Sequence, residues 1–328
     1  MATANVPRRR VAELDAILDS PEIARLIEDL EATRWTGRPG YPIRALLGVA
    51  LAKSLYAIPT WSRTVALVHE HEGLQRALGA VPSVYAAYRF TAKLRIHGDL
   101  LEGCIGRVLS RLRTQHPGMG EHIAIDASDL PAYANGQRFV SKGGRERAAS
   151  EYSDPDASWG HRSAVSTRKG GGFYGYRIHA AVCTLTGLPL AWSVQTARVN
   201  ESMLVAPLLD ALSLFPVTCA MDKGYDIERV YGECADRGVL PVVPLRQTTA
   251  VKRGDHLNGE PDGTRLRPFL QRASERWRAL YKRRGAVERE FGRLKHEWAM
   301  LPLRVRGLAR VRLHVNLTIL AKLLTGFR

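Results

Sequence analysis

Three carboxylates and one basic stretch are the residues of this chain whose types could do chemistry together. Asp126 closes the apolar run HIAIDAS, Asp222 follows another in PVTCAMDKGYD, and Glu288 sits within Tyr281–Lys295, YKRRGAVEREFGRLK. Their separations, 222 − 126 = 96 and 288 − 222 = 66 residues, mean that only tertiary structure can bring them together. Converging carboxylates repel one another and need cations. Hard divalent ions such as Mg²⁺ or Mn²⁺ take oxygen ligands and meet that need. Two such ions about 3.5–4 Å apart activate an attacking oxygen and stabilise the leaving one in an in-line phosphoryl displacement. Asp129 is the local competitor of Asp126, and an aspartate at a strand end also serves as a simple turn residue.

The basic stretch has a pattern of its own. On a helix turning about 100° per residue, with Tyr281 at zero, Arg284, Glu288 and Lys295 fall near 300°, 340° and 320°. Val287, Phe291, Leu294 and Trp298 fall at about 220–280°, an apolar stripe beside the polar one. Glu290 lies near 180°, away from that row, so Glu288 is the glutamate expected to do chemistry. The competing reading is an ordinary solvated helix face, because Arg284 and Glu288 stand at the i, i+4 spacing of a helix ion pair. Gly285 and Gly292 also cost a helix about 1 kcal/mol each relative to Ala.

The formal charge of +16 and pI near 10.1 imply a polyanionic partner, with nucleic acid the first candidate. From Arg265 to Arg312 there are 15 Lys/Arg and 4 Asp/Glu, a local excess of +11 around the stretch just described. Arg284 and Lys295 would hold substrate phosphates, and Tyr281 would bond a phosphate or stack a base. Four scattered cysteines without zinc-like spacing fit buried thiols in a reducing cytosol. No apolar run reaches the ~20 residues that span a bilayer, and the N-terminus lacks a signal-peptide core. The expected location is therefore cytoplasmic, with no membrane association.

The elements that must position these groups can be read in order. Residues 1–116 read as helical, with Leu14, Ile17, Leu18 and Ile23, Leu26, Ile27, Leu30 at helical spacing. TWSRTVALVHEHEGLQRALG predicts one helix stopping at Gly79. Ser83 would cap a second that carries Tyr85, Tyr88, Arg89, Lys93 and Arg95, a helix-turn-helix-like pair. The bland alternative is a plain bundle with a basic face. After residue 117, a short strand is expected to end at Asp126, followed by a long surface loop over residues 133–172. A hairpin turning at Thr186-Gly187 comes next, then a helix over ESMLVAPLLDALSLF and a strand ending at Asp222. A helix ending at Gly238 and a short strand VLPVVPLR follow, then a polar segment over 246–268 read as mobile. LARVRLHVNLTILAKLLTGF reads as an amphipathic helix packed on the sheet. The fold class expected is α/β, a helical N-terminal domain over 1–116 and a mixed-sheet domain over 117–328.

These residues also carry a resemblance. Tyr281-x2-Arg284-x3-Glu288-x6-Lys295 resembles the YREK signature of bacterial insertion-sequence transposases of the DDE class. IAIDAS and AMDKGYD resemble that family's two aspartate motifs, and GYRIHAAVCTLTGLPLAW its central hairpin. YPIRALLGVALAKSLY through YRFTAKL resembles its helical N-terminal domain. The resemblance implies a ribonuclease H-like catalytic domain, with Asp126, Asp222 and Glu288 both catalytic and binding two Mg²⁺ or Mn²⁺ ions. Tyr281, Arg284 and Lys295 would contact DNA. The implied reaction is cut-and-paste transposition: cleavage at the element ends by water, then joining of the freed 3′-OH to target DNA. The implied partners are double-stranded DNA at the terminal inverted repeats and target, and a second copy of the chain in a homodimer that pairs the ends. The implied setting is the bacterial nucleoid.

Two departures stand out: Cys183 where the family often has an acid, and Asn200-Glu201-Ser202 where His-Asp-Ser is usual. The 66-residue gap before Glu288 is also too short for the large β insertion of some relatives. The alternatives are a catalytically inactive repressor derived from a transposase, and a metal-dependent nuclease without strand transfer.

Overall fold

The computed structural model describes residues 8–34, 40–134, 152–162, 169–246, 272 and 274–327. Seven helices come first: α1 (Arg8–Leu18), α2 (Pro21–Ala32), α3 (Ile43–Leu55), α4 (Trp61–Glu70), α5 (Glu72–Leu78), α6 (Val84–Ile96) and α7 (Gly98–Gln115). The apolar positions at spacings of three and four are the ones that bury, with Leu14, Ile23, Leu26 and Leu30 all at 0% exposure. The single helix expected before Gly79 is two, because His71 turns out of the helix and its Nδ1 accepts from Leu74 N at 3.4 Å to start α5. Gly79 ends α5 in the left-handed conformation (φ +70), where a side chain would be strained. Ser83 caps α6 by accepting from Ala86 N.

Six strands follow: β1 (His122–Pro131), β2 (Ser158–Arg162), β3 (Gly171–Cys183), β4 (Pro189–Thr196), β5 (Thr218–Ala220) and β6 (Leu240–Val242). The sheet runs β2-β3-β1-β5-β6, and β4 pairs with β3 over Tyr176–Val182, beyond the β2 segment on the same edge. β1 and β3 are antiparallel, while β1, β5 and β6 are parallel. With helices on its faces this is the mixed, ribonuclease H-like sheet expected. The hairpin turns at Gly187 (φ +72), whose N–H donates to Cys183 O at 2.8 Å.

Several expectations need correction. The first strand does not end at Asp126 but runs five residues further, because β3 pairs with it along its whole length to Pro131. The loop expected over 133–172 contains β2, which pairs with Phe173 and its neighbours. Residues 135–151 and 163–168 of that loop lie outside the described residues, as do 247–268 of the polar segment expected to be mobile. The helix expected over 201–215 is a 3₁₀ turn (Glu201–Leu204) and a short α8 (Val205–Asp210). Between the strands, α9 (Glu228–Ala235) ends before Gly238 (φ +65).

The basic stretch is two helices and not one: α10 (Glu275–Lys282) and α11 (Gly285–His296). Their junction is a tight turn, in which Ala286 N donates to Arg283 O and Val287 N to Arg284 O. Three residues of the apolar stripe are buried on α11 as their spacing requires, Val287 at 0%, Leu294 at 1% and Phe291 at 5% exposure, whereas Trp298 lies beyond the helix end and is half-buried. α11 packs on β1 and β3.

The last helix, α12 (Leu308–Leu324), is buried on nearly every side, not on one stripe. Leu317, Thr318, Ile319, Leu320 and Ala321 are consecutive and all buried. It lies between β4 and α3: Trp192 Nε1 donates to Asn316 Oδ1 at 2.8 Å, and Ser54 Oγ meets Thr318 Oγ1 at 3.4 Å. Asp154 and Asp156 hold its start, accepting from Gly307 N and Leu308 N. The helical region and the sheet thus share one hydrophobic core. All four cysteines are buried and free. Among the described residues no helix is long and apolar enough to cross a membrane.

Candidate active site

The register of the parallel pair decides where the aspartates go. β1 pairs with β5 from His122↔Thr218 to Ala124↔Ala220, a constant offset of 218 − 122 = 96. Asp126 and Asp222 differ by the same 96, so each lies two residues beyond the last pair of that ladder, and the two carboxylates are near enough to repel. Each is then fixed locally. Asp126 Oδ1 accepts from Ala127 N at 2.8 Å, and Asp222 Oδ1 accepts from Gly224 N at 2.7 Å. Asp222 thereby caps the short 3₁₀ turn Lys223–Tyr225.

Glu288 arrives from the sheet-packed helix through Arg284. Arg284 Nη1 donates to Asp126 Oδ2 at 3.0 Å, and its Nη2 to Glu288 Oε1 at 2.5 Å. One guanidinium therefore joins two of the three acids, the short charge-assisted geometry in which arginine excels. Glu288 is more than half exposed (57%), while Arg284 (19%) and Asp126 (17%) are largely covered. Burial pushes the Asp126 carboxyl up to about 7, against the Ala127 N–H and with Asp222 and Glu201 adding repulsion; Arg284 opposes them.

Glu201 is the acid that sequence reasoning passed over. It lies in the field of both Asp126 and Asp222, and burial raises its own carboxyl. Arg177 Nη1 holds it at 3.1 Å, and Arg177 Nε donates to Asp129 Oδ1 at 3.1 Å. Asp129, the local competitor, is therefore occupied by Arg177 and by Arg162 (3.4 Å). Tyr225 is fully buried among Asp126, Glu201 and Asp222, and its hydroxyl has no partner among the described residues. The only sequence signal for this part was Asn200-Glu201-Ser202, noted as a departure and not as a site.

The remaining candidates divide. Tyr281 belongs to α10, not to the helix of Glu288, and stacks on Trp277 with ring centroids 4.9 Å apart. Arg284 lies 5.9 Å from the Tyr281 ring, so those two remain neighbours. Lys295 is half-buried in the last turn of α11. Glu290 is 1% exposed, both its oxygens lack hydrogen-bond partners among the described residues, and burial raises it to about 7.

The donor chemistry fits a hard cation: oxygen ligands only, with Asp126 raised by burial and by two neighbouring carboxylates. Among the described residues no three His, Cys, Asp or Glu side chains stand close enough together to hold a metal ion. The guanidinium of Arg284 supplies the positive charge between Asp126 and Glu288. Such a set offers carboxylate oxygens of the kind a hard cation takes and a guanidinium of the kind that binds a phosphodiester.

Residues 117–324, more than half of the chain, match the family described as "Transposase DDE domain". Residues 2–91 match "Transposase domain (DUF772)". Neither a curated protein nor a solved structure matches the chain.

Proposed function

The chain belongs to the DDE transposase family, and on that premise we propose that it moves an insertion sequence by cut-and-paste chemistry. Transposases of this family bind DNA and use divalent metal ions. The finer reading assigns two Mg²⁺ or Mn²⁺ ions to Asp126, Asp222 and Glu288. When bound, they would supply activation of the attacking oxygen and stabilisation of the leaving one. The observation that carries the reading is the shared 96-residue offset of the β1–β5 ladder and the two aspartates, with Arg284 linking Glu288 to Asp126.

The chain's own groups then have defined tasks. Arg284, which bridges Asp126 and Glu288, would offer its N–H groups to a substrate phosphate. Lys295 adds a point charge on the same helix. Tyr281, braced by its stack on Trp277, presents a hydroxyl or ring to the strand. In the first step water attacks phosphorus, the P–O3′ bond breaks and the 3′ oxygen leaves as a hydroxyl with the proton that water gives up; in the second that 3′-OH attacks a phosphorus of target DNA, whose own 3′ oxygen leaves and takes the proton. Residues 1–116 are assigned to DNA binding and dimerisation, with α6 presenting Tyr85 (71% exposed), Tyr88 (54% exposed) and Arg89 outward.

The test is nicking of labelled element ends with Mg²⁺ by Asp126→Asn, Asp222→Asn and Glu288→Gln. Undiminished cleavage by any one of them removes that residue from the metal set. A second reading, a DNA-binding repressor without catalysis, draws on the Arg284 bridge between Asp126 and Glu288. Binding of the ends without cleavage under any divalent ion favours it. Cleavage without joined products identifies a nuclease.

A further inference from the structure

A second cationic site lies away from these acids. A cavity of about 600 Å³ opens between α3, α4 and α6 on one side and α12 with the segment before it on the other. Among the described residues five cations line it, Lys53, Arg95, Arg304, Arg306 and Arg310, and no carboxylate does. Lys53 is only 6% exposed, and among the described residues its ammonium has no hydrogen-bond acceptor or acid, only the Trp61 ring at 5.8 Å. Burial lowers it to about 8. Arg95 and Arg310 are close enough to repel. Uncompensated converging cations are costly unless an anion joins them.

The aromatic lining narrows the anion. Trp61 and Tyr88 meet edge to face at 6.5 Å, and Tyr88 is 54% exposed. Tyr133, 45% exposed, has Arg304 and Arg306 each 5.2 Å from its ring, and Arg306 Nε donates to its carbonyl at 2.7 Å. Base stacking on aromatic rings beside phosphate-binding cations is how single nucleotides are held, and the volume suits one. Tyr133 is seven residues beyond Asp126, so its backbone lies at most ~25 Å away. A nucleotide in the cavity and a phosphate at Asp126 can thus belong to one DNA end.

We propose that this cavity binds one nucleotide, its phosphate on Lys53 and the arginines and its base against Trp61, Tyr88 or Tyr133. The nucleotide comes either from DNA, as an extrahelical residue, or from the free pool. The DNA source rests on the transposase reading; the charge and shape of the cavity do not.

The experiment uses the full chain in EDTA with three probes: a duplex with one bulged 2-aminopurine, the fully paired duplex, and free 2-aminopurine deoxyribonucleotide. The expected result is quenched emission and about tenfold tighter binding of the bulged duplex than of the paired one. Lys53→Met and Tyr133→Ala each abolish that preference, and Tyr133→Ala leaves paired-duplex binding and the melting temperature near wild type. Tyr133 is exposed, so its variant keeps the test valid should Lys53→Met not fold. Quenching of the free nucleotide alone, lost in the variants, supports the site with the free pool as source. No quenching of either probe, or quenching unchanged in both variants, overturns the proposal. Mg²⁺-dependent nicking by wild type and Asp126→Asn, run separately, reports on the transposase reading alone.

Discussion

Arg284 Nη1 lies 3.0 Å from Asp126 Oδ2, joining the start of α11 to the middle of β1 across 158 residues of sequence. The same guanidinium holds Glu288, so it acts as the internal counter-ion of the site. Arg284→Ala leaves Asp126 beside Asp222 and Glu201 without that charge. The expected loss is about 1–3 kcal/mol in EDTA, discounted for partial exposure, measured by urea denaturation. Added Mg²⁺ should recover part of it. Arg284→Lys restores charge but not the two-armed geometry, and should recover less than half. An unchanged unfolding curve for Arg284→Ala would remove the counter-ion role.

The raised Asp126 carboxyl sets a pH dependence for metal binding. Protons compete with the ion until the group ionises at about 7. Mn²⁺ affinity should therefore climb about tenfold per pH unit below that value and level off above it. Calorimetric titration across this range checks the slope, and a flat profile would count against Asp126 as a ligand. Asp126→Asn should abolish both the binding and the slope.

Glu290 makes a separate pH prediction because its folded carboxyl is raised from 4.5 to about 7. A raised carboxyl contributes its stability below the unfolded value, and that contribution is lost as pH rises through about 7. Glu290→Met should thus stabilise the fold by up to ~3 kcal/mol at pH 8 and by little at pH 4. Glu290→Gln should keep strand cleavage near wild type. Equal stabilisation at both pH values would mean that the carboxylate is already compensated, for instance by Lys322 or Arg293.

On α6, Arg89 is exposed beside Tyr85, 5.9 Å from its ring. If it neutralises one phosphate, Arg89→Ala should lower the slope of log affinity against log salt by about 0.9. Fluorescence anisotropy over a salt series measures this. A parallel shift with unchanged slope would assign Arg89 to a contact other than phosphate.

Local motifs in the sequence single out the acids but not their surroundings. Asp126, Asp222 and Glu288 stood out through local motifs, and Val287, Phe291 and Leu294 through helical spacing. The wheel carried Tyr281 onto the same helix as Glu288, yet the chain turns at Arg283-Arg284, since angular arithmetic cannot see a junction. Glu201 was missed because Arg177 comes from β3, Asp126 from β1 and Asp222 from beyond β5, and no local pattern unites them. Likewise the wheel turned Glu290 away from the polar row, but what buries it depends on packing that angular arithmetic does not contain. The extent of β1 past Asp126 was also invisible, because β3, whose pairing sustains it, lies some fifty residues downstream.

The burial of α12 on both sides has a mechanical consequence. A helix packed at once on α3, α6 and β4 ties the face that would carry DNA to the sheet that carries Asp126. A duplex seated on α6 would meet the acids at one fixed distance. The molecule would then work as a caliper, choosing its cut by length from the recognised sequence, so that inserting a base pair between the two should move the cut by one nucleotide.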